Sequence, residues 1–354
     1  MKVFVAGHRG LVGAALCRRL AADGHGRVLT RTRAELDLRR QADTEAFFAA
    51  ERPDVVFLAA GRVGGILPNS TRPADFIADN LAIALNVIEA AHRSGVAKLL
   101  NLGSSCIYPR LAPQPIREAD FLSGPLEPTN QAYAVAKIAA IQLCASFNAQ
   151  HGTRFLSLMP TNLYGPGDNY DLETAHVLPA LIRKFTLAAG LAAGDADGVL
   201  RDLERRPPDA WASLTPAERG FRAAESLLAA FGVTAERVTL WGTGTPRREF
   251  LHVDDLARAC VTVVDRFEPA DTGLFLNVGT GEDHTIRELA ERVREAAGFN
   301  GEIAFDASKP DGMPRKLLDV SRIRALGWAP RVPLEAGIRR TVAAYREEVA
   351  GCRP

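Results

Sequence analysis

Tyr133 and Lys137 stand four apart in the run Tyr133-Ala-Val-Ala-Lys137. On a helix, side chains at i and i+4 share one face, with Cβ atoms about 6 Å apart. An ammonium beside a phenol favours the phenolate and lowers the tyrosine pKa from its reference of about 10. That makes Tyr133 a proton donor to a carbonyl oxygen receiving a hydride, and leaves Lys137 able to bond a nicotinamide ribose. Ser104, in Asn101-Leu102-Gly103-Ser104-Ser105-Cys106, offers the same oxygen a second donor. The chemistry implied is reduction of a ketone. A tyrosine–lysine pair alone arises often by chance, so the reading needs the serine and a cofactor loop beside it.

Cys106 and His176 suggest a second activity. Cys106 lies two residues beyond Ser104, on the loop leaving a strand. Donors that hold a ketone oxygen also stabilise an enolate, so carbons next to the ketone can lose a proton. Inverting such a carbon takes one group to remove the proton and another to return it on the opposite face. A thiol and an imidazole, with reference pKa values of about 8.5 and 6.5, suit that exchange. Spacing leaves a plainer alternative open: a buried cysteine is commonly a small hydrophobe, and a histidine at a helix start is commonly a surface or capping residue.

These groups need elements to carry them. Gly7, Gly10 and Gly13 form GxxGxxG between the apolar run 2–6 and a segment, 11–22, whose apolar residues fall at helical spacing. Strand, glycine turn and helix in that order make a pyrophosphate site, where backbone N–H groups approach the ligand closely. The end of the next strand, 28–30, should meet the adenosine ribose. An acid there would suit NAD. Instead Arg31 and Arg33 stand at that point and Arg9 lies in the loop, and guanidinium groups suit the 2′-phosphate of NADP. Asp37 can bond the adenine amino group.

Short apolar runs at 55–59, 98–102 and 155–159 alternate with helical patterns at 73–94 and 131–150, which predicts βαβ units and a parallel sheet. Beyond them the pattern predicts helices over 175–189, 254–266, 284–297 and 334–349, and strands at 238–241, 250–252 and 274–276. Residues 190–236 differ: Ala-rich, with the charged run RDLERR and Pro207-Pro208. They read as a solvated helical insertion with a surface loop.

The length of 354 residues suggests about two domains. With 47% apolar and 24% charged residues, the chain is too apolar to be disordered. Lys and Arg number 43 against 42 Asp and Glu, a net charge of +1, so no global field draws nucleic acid or an anionic membrane. An anionic ligand must be held locally. Cys17, Cys106, Cys144, Cys260 and Cys352 form no CxxC pair, which argues against a zinc site or a disulfide framework and for a reducing cytoplasm. No metal is expected. Gly7 breaks the N-terminal apolar run, and no unbroken apolar stretch reaches the ~18 residues of a membrane span, so a soluble chain without a secretory leader is expected.

Several segments closely resemble the GDP-L-fucose synthases (GDP-4-keto-6-deoxy-D-mannose 3,5-epimerase-4-reductases), a group of extended short-chain dehydrogenase/reductases. They are VFVAGHRGLVGAAL (3–16), VGGILPNSTRPADFIADN (63–80), GSSCIYP (103–109), EPTNQAYAVAKIA (127–139), PTNLYGPGDN (160–169), WGTGTPRREFLHVDD (241–255) and KPDGMPRKLLD (309–319). The resemblance implies an α/β fold: a Rossmann-type doubly wound parallel sheet with a smaller C-terminal α/β substrate domain, in a homodimer. The NADP-binding domain would span 1–165, with a return segment near 249–280. Residues 166–354 would mainly bind substrate and include the atypical insertion near 190–236. By this match Ser104, Tyr133 and Lys137 are the reductase triad, Cys106 the epimerisation base and His176 the acid.

NADPH would touch Gly7, His8, Arg9, Gly10, Leu11, Val12 and Gly13, then Arg33, Ala34, Glu35, Leu36, Asp37 and Leu38. It would also meet Leu102, Gly103, Ser104, Ser105, Lys137, Pro160, Thr161, Asn162, Leu163 and His176. Lys184, Trp241, Arg248 and Asp311 align with positions that hold the nucleotide sugar, and Lys316 is a further candidate. Lys184 and Arg248 can pair a diphosphate, and Trp241 offers an aromatic surface. Such enzymes join the Lys184 helix to the Trp241 strand by a short connection. Here it is longer by ~40 residues, beyond ordinary loops, and could form a lid, alter the pocket or add an interface. The implied reaction is C3 and C5 epimerisation of GDP-4-keto-6-deoxy-D-mannose followed by NADPH-dependent reduction at C4. The alternatives are a related nucleotide-sugar enzyme with a colitose-type product and a non-catalytic NADP sensor.

Overall fold

The computed structural model of the chain describes residues 1–351; Cys352 lies outside the described residues. The chain opens with β1 (Lys2–Ala6), α1 (Leu11–Ala22), β2 (Arg27–Leu29), α2 (Gln41–Glu51), β3 (Val55–Leu58), α3 (Ile66–Thr71), α4 (Pro73–Arg93) and β4 (Lys98–Leu102). It continues through α5 (Gln131–His151), β5 (Phe155–Pro160), β6 (Asn162–Tyr164), α6 (Val177–Ala192), α7 (Ala196–Arg205), α8 (Asp209–Ala212) and α9 (Phe221–Ala230). Then come β7 (Arg237–Trp241), β8 (Arg247–His252), α10 (Val253–Arg266), α11 (Pro269–Thr272), β9 (Leu276–Val278), β10 (Asp283–Thr285) and α12 (Ile286–Ala296). β11 (Glu302–Asp306), β12 (Arg315–Lys316), α13 (Ser321–Ala325) and α14 (Leu334–Ala350) complete it.

Two compact units form. The first gathers 1–163, 249–282 and 317–331; the second gathers 164–248, 283–316 and 332–354. The first holds a parallel six-stranded sheet in the order β2-β1-β3-β4-β5-β9, the doubly wound pattern expected of alternating strands and helices. β1, β3, β4 and β5 are buried on both faces, which is why they read as apolar runs. One face packs on α1 and α10 through Val5, Leu16, Leu100 and Leu256; the other packs through Phe4, Phe48, Val87 and Leu99. α5 is long and apolar enough to span a membrane by length and composition, and it lies against α4 and β5. No disulfide joins Cys17, Cys106, Cys144 and Cys260.

The second unit packs α6 against α7, α12 and β7, and α14 against α7 and α12. β7 pairs in parallel with β11, Val238 opposite Ile303 and Leu240 opposite Phe305. Residues 190–236 are not a solvated excursion. Leu203, Trp211 and Leu228 there are fully buried, and Trp211 Nε1 donates to Glu204 at 3.1 Å. Arg183 of α6 is fully buried and reaches Asp202 Oδ1 at 2.8 Å, while the Tyr345 hydroxyl of α14 hydrogen-bonds the other oxygen of Asp202. A charged sequence hid this, because the Asp202 charge is buried against a partner.

Of the elements that escaped the periodicity reading, two show why. α2, QADTEAFFAAE, offers little apolar surface beyond Phe47 and Phe48, yet Phe48 buries completely and meets the Phe4 ring edge-on at 5.8 Å. β11 has intermediate burial and depends on β7 for its pairing.

Candidate active site

The first unit brings Ser104, Cys106, Tyr133 and Lys137 together beyond the carboxyl end of β4. Ser104 caps the single 3₁₀ turn Ser105–Ile107, its hydroxyl accepting from the Cys106 N–H at 3.4 Å. α5 then presents Tyr133 and Lys137 one turn apart, both buried. Phe76 from α4 meets the Tyr133 ring edge-on at 6.3 Å, and Cys106 and Ala134 complete that apolar cluster. The Ser104 hydroxyl lies close enough to the Tyr133 phenol to act on its acidity.

The electrostatics differ from the sequence expectation. Lys137 Nζ lies 5.7 Å from the centre of the Tyr133 ring and donates to the Leu102 carbonyl at 2.9 Å. Burial dominates: it pushes the Tyr133 phenol up, Cys106 adds to the rise, and Ser104 opposes it. Burial likewise lowers Lys137 to about 8. Tyr133 therefore holds its proton at neutral pH, as an acid requires.

The glycine loop fits a dinucleotide. A Cβ on Gly13 would lie 2.1 Å from the Gly7 carbonyl oxygen, and Gly7 takes φ +87°, so both positions demand glycine for the turn itself. Gly10 has room for a Cβ, and no side chain caps the α1 N-terminus that follows it. Open backbone N–H groups there suit a pyrophosphate. His8 Nδ1 is buried in this loop without a protein hydrogen-bond partner, a polar atom placed for a ligand.

At the ribose end one expectation fails. Arg31 is committed to Glu51 at 2.8 Å and lies over the Phe47 ring at 5.3 Å, so the strand end absorbs it. Arg33 stays largely exposed, its Nε 3.8 Å from Asp37. Both Asp37 oxygens accept from Arg39, at 2.9 and 2.6 Å, and this holds the carboxyl down at about 2. Arg39 also reaches Asp79, which in turn accepts from Arg62 at 2.8 Å. The sequence reading missed this chain of charges because its members come from three separate loops and helices. Leu36 and Leu38 are buried in the core, while Ala34 and Glu35 are exposed.

Thr161 and Asn162, with Pro160 and Leu163 around them, are tied to β8. Thr161 Oγ1 and Asn162 Nδ2 both donate to the Glu249 carbonyl, at 3.3 and 2.9 Å. The Glu249 side chain is fully buried, accepts from the Gly281 and Leu318 N–H groups at 2.7 and 3.0 Å, and has its pKa raised by burial. Asn80 was also missed: it donates to the Arg62 and Phe76 carbonyls, and a Cβ on Gly61 would press on its oxygen at 2.6 Å and approach Lys137 Nζ at 3.7 Å.

His176, Lys184, Trp241, Arg248, Asp311 and Lys316 all belong to the second unit. β8 and β12 run parallel with Arg247 opposite Arg315 and Arg248 opposite Lys316. Asp283 takes both members of the first pair. Side chains alternate along a strand, so Arg248 and Lys316 share the other face. Burial lowers the Arg248 pKa, with only Asp311 opposing. His176 precedes α6 without capping it, and burial, then the Lys316 charge, lowers its pKa, so the imidazole is neutral at pH 7. Asp311 accepts from the Thr243 N–H and hydroxyl at 2.9 and 2.7 Å, fixing the turn after Trp241, whose indole is 70% exposed with Lys309 over its ring at 5.6 Å. Crowded cations beside an open indole make a site for an anionic aromatic ligand.

A family model described as "NAD dependent epimerase/dehydratase family" matches residues 3–203 and 218–279, passing over 204–217 inside the insertion. The chain belongs to the NAD-dependent epimerase/dehydratase family. Within that family it is 51% identical to a probable GDP-L-fucose synthase 1 of Oryza sativa, covering 99% of this chain and 94% of the relative. Identity falls to 31% against a GDP-L-colitose synthase of Yersinia pseudotuberculosis, over 98% of this chain and 99% of that one. Among solved structures it resembles a GDP-mannoheptose C4 reductase of Campylobacter jejuni with NADP bound, at TM-score 0.85 and 37% identity over 98% of each chain.

Proposed function

We propose that the chain converts GDP-4-keto-6-deoxy-D-mannose to GDP-L-fucose, in two steps at one ketone. The observation that carries this is the buried Tyr133 phenol, with Cys106 packed in the same cluster, the Ser104 hydroxyl acting on it and Lys137 one helical turn on. Ser104 and Tyr133 donate to the C4 oxygen, and that polarisation acidifies the hydrogens on C3 and C5. Cys106, as its thiolate, removes those protons, and His176, neutral at rest and protonated from solvent for the step, returns protons to the opposite faces, both regaining their resting forms by exchange with solvent. NADPH, held by the first unit's glycine loop and Lys137, would supply the hydride for C4. Tyr133 then gives its proton to the alkoxide, and the neighbouring Lys137 ammonium stabilises the phenolate left behind.

In this reading the first unit holds NADPH through Gly7 to Gly13, Arg9, Arg33, the end of β4 and Lys137. The second holds the nucleotide sugar through Lys184, Trp241, Arg248, Asp311 and Lys316. The colitose-type reading is ranked below because identity to the fucose synthase exceeds identity to the colitose synthase by twenty points, 51% against 31%. A sensor reading is ranked lower still, since Ser104, Tyr133 and Lys137 are all present and clustered. The chain acts as a homodimer in the cytoplasm; exposed Leu85 and Val135 on α4 and α5 offer an apolar face for the second copy.

The test supplies GDP-mannose, a 4,6-dehydratase, NADPH and this protein, and identifies the sugar formed. Wild type should yield GDP-L-fucose. Cys106→Ser should bind NADPH normally and lose fucose formation severely; normal epimerisation by that variant removes Cys106 from the mechanism.

A further inference from the structure

The insertion grips α6 at two consecutive residues. Arg183 is fixed by Asp202, by the Arg206 carbonyl at 2.6 Å and by the Tyr170 carbonyl at 3.2 Å. Lys184 instead donates to the Phe231 carbonyl at 2.7 Å. Phe231 is the C-cap of α9, where the insertion leaves for β7. Its carbonyl belongs to the peptide bond of Gly232, whose φ is +74° and whose Cβ, if present, would lie 2.8 Å from the Thr239 carbonyl oxygen. The Thr239 N–H donates back to the Gly232 carbonyl at 2.7 Å, and Val233 bridges Val238. The carbonyl that holds the ammonium is thus locked by a glycine turn stitched to the first strand after the insertion.

We propose that the Phe231–Gly232 turn is a positioning element for the diphosphate of the substrate, aiming the Lys184 ammonium and so coupling the insertion to nucleotide-sugar binding. This rests on the reading of Lys184 as a nucleotide contact. Lysine has three N–H donors, so with one on Phe231 two remain for an anion, and the carbonyl restricts where they point. Burial lowers Lys184 to about 8, and the carbonyl acceptor favours the charged form that an anion needs. Neither residue touches the reacting carbons, so the effect falls on binding.

The experiment is steady-state kinetics on the full chain with NADPH and the GDP-4-keto sugar, comparing wild type, Gly232→Ala, Lys184→Met and the double variant. Each single change should raise KM about tenfold with kcat held within about twofold, and the double should be no worse than Lys184→Met alone. Unchanged KM in Gly232→Ala, or an additive double, overturns the proposal while leaving the nucleotide role of Lys184 standing. Unchanged KM in Lys184→Met removes that role and the proposal with it. A second measurement does not depend on Gly232→Ala folding: hydrogen exchange across residues 228–234 should slow when GDP binds wild type and should not respond in Lys184→Met. Absence of that slowing in wild type also overturns the proposal.

Discussion

The two units place their polar groups by different means. In the first, the side chains proposed to react sit at the ends of regular elements: Ser104 and Cys106 just past β4, Tyr133 and Lys137 in the first turns of α5. In the second, the side chains proposed to bind the nucleotide sugar hang on short pieces: a two-residue strand for Lys316, a turn clamped by Asp311 beside Trp241, and a carbonyl from an insertion for Lys184. A parallel sheet fixes its strand ends by many hydrogen bonds at once, so chemistry placed there tolerates change elsewhere. Binding groups on turns depend on single buried contacts.

Two changes and a surface control probe that difference. Tyr133→Phe removes the proton donor without disturbing the ring packing on Phe76, and kcat should fall about a thousandfold while NADPH affinity and KM for the sugar hold. A variant whose loss appeared in KM would mean that Tyr133 serves binding, and the contrast between the units would dissolve. Arg183→Met attacks the second unit where one buried contact carries most. It leaves the Asp202 carboxylate buried without its cation, which should cost about 3–5 kcal/mol in denaturant melts. Arg339→Met, which removes an exposed i,i+4 pair with Glu335, should cost under about 1 kcal/mol. Equal losses would show that the Arg183 network supports nothing special.

The same contrast governs what could be read without coordinates. The glycine loop, Ser104 and the tyrosine–lysine pair were legible because strand–turn–helix spacing converts directly into position. Arg31 misled because residue type marks a strand end and cannot reveal that Glu51 and Phe47, twenty and sixteen residues on, would take the guanidinium. The expected depression of the tyrosine pKa misled for a related reason: helix spacing places the ammonium nearby, whereas the depth of burial that raises the phenol is a tertiary property. In the second unit the cations were named through resemblance alone, and the Phe231 carbonyl could not be named, since a backbone acceptor carries no sequence signal.

A smaller effect than the loss of Arg183 sets one carboxylate from each unit against the other. Arg39 depresses Asp37 to about 2, so its contribution to stability is present above the unfolded value near 4 and fades as pH falls through about 2. Asp168 in the second unit is raised to about 7 by burial, with only the Asn169 N–H, at 2.7 Å, opposing. The folded state then binds a proton more tightly than the unfolded one, so stability present below about pH 4 is lost progressively up to about pH 7. A rise of that size corresponds to about 4 kcal/mol at most, and partial exposure of Asp168 reduces this to about 1–2 kcal/mol. Asp168→Asn should therefore raise the melting temperature at pH 8 and leave it nearly unchanged at pH 4, whereas Asp37→Asn should lower it at pH 8. Thermal melts of both variants at the two pH values decide the matter: if both move in the same direction at pH 8, the Asp168 carboxyl is ionised at ordinary cost and burial in the second unit does not raise it.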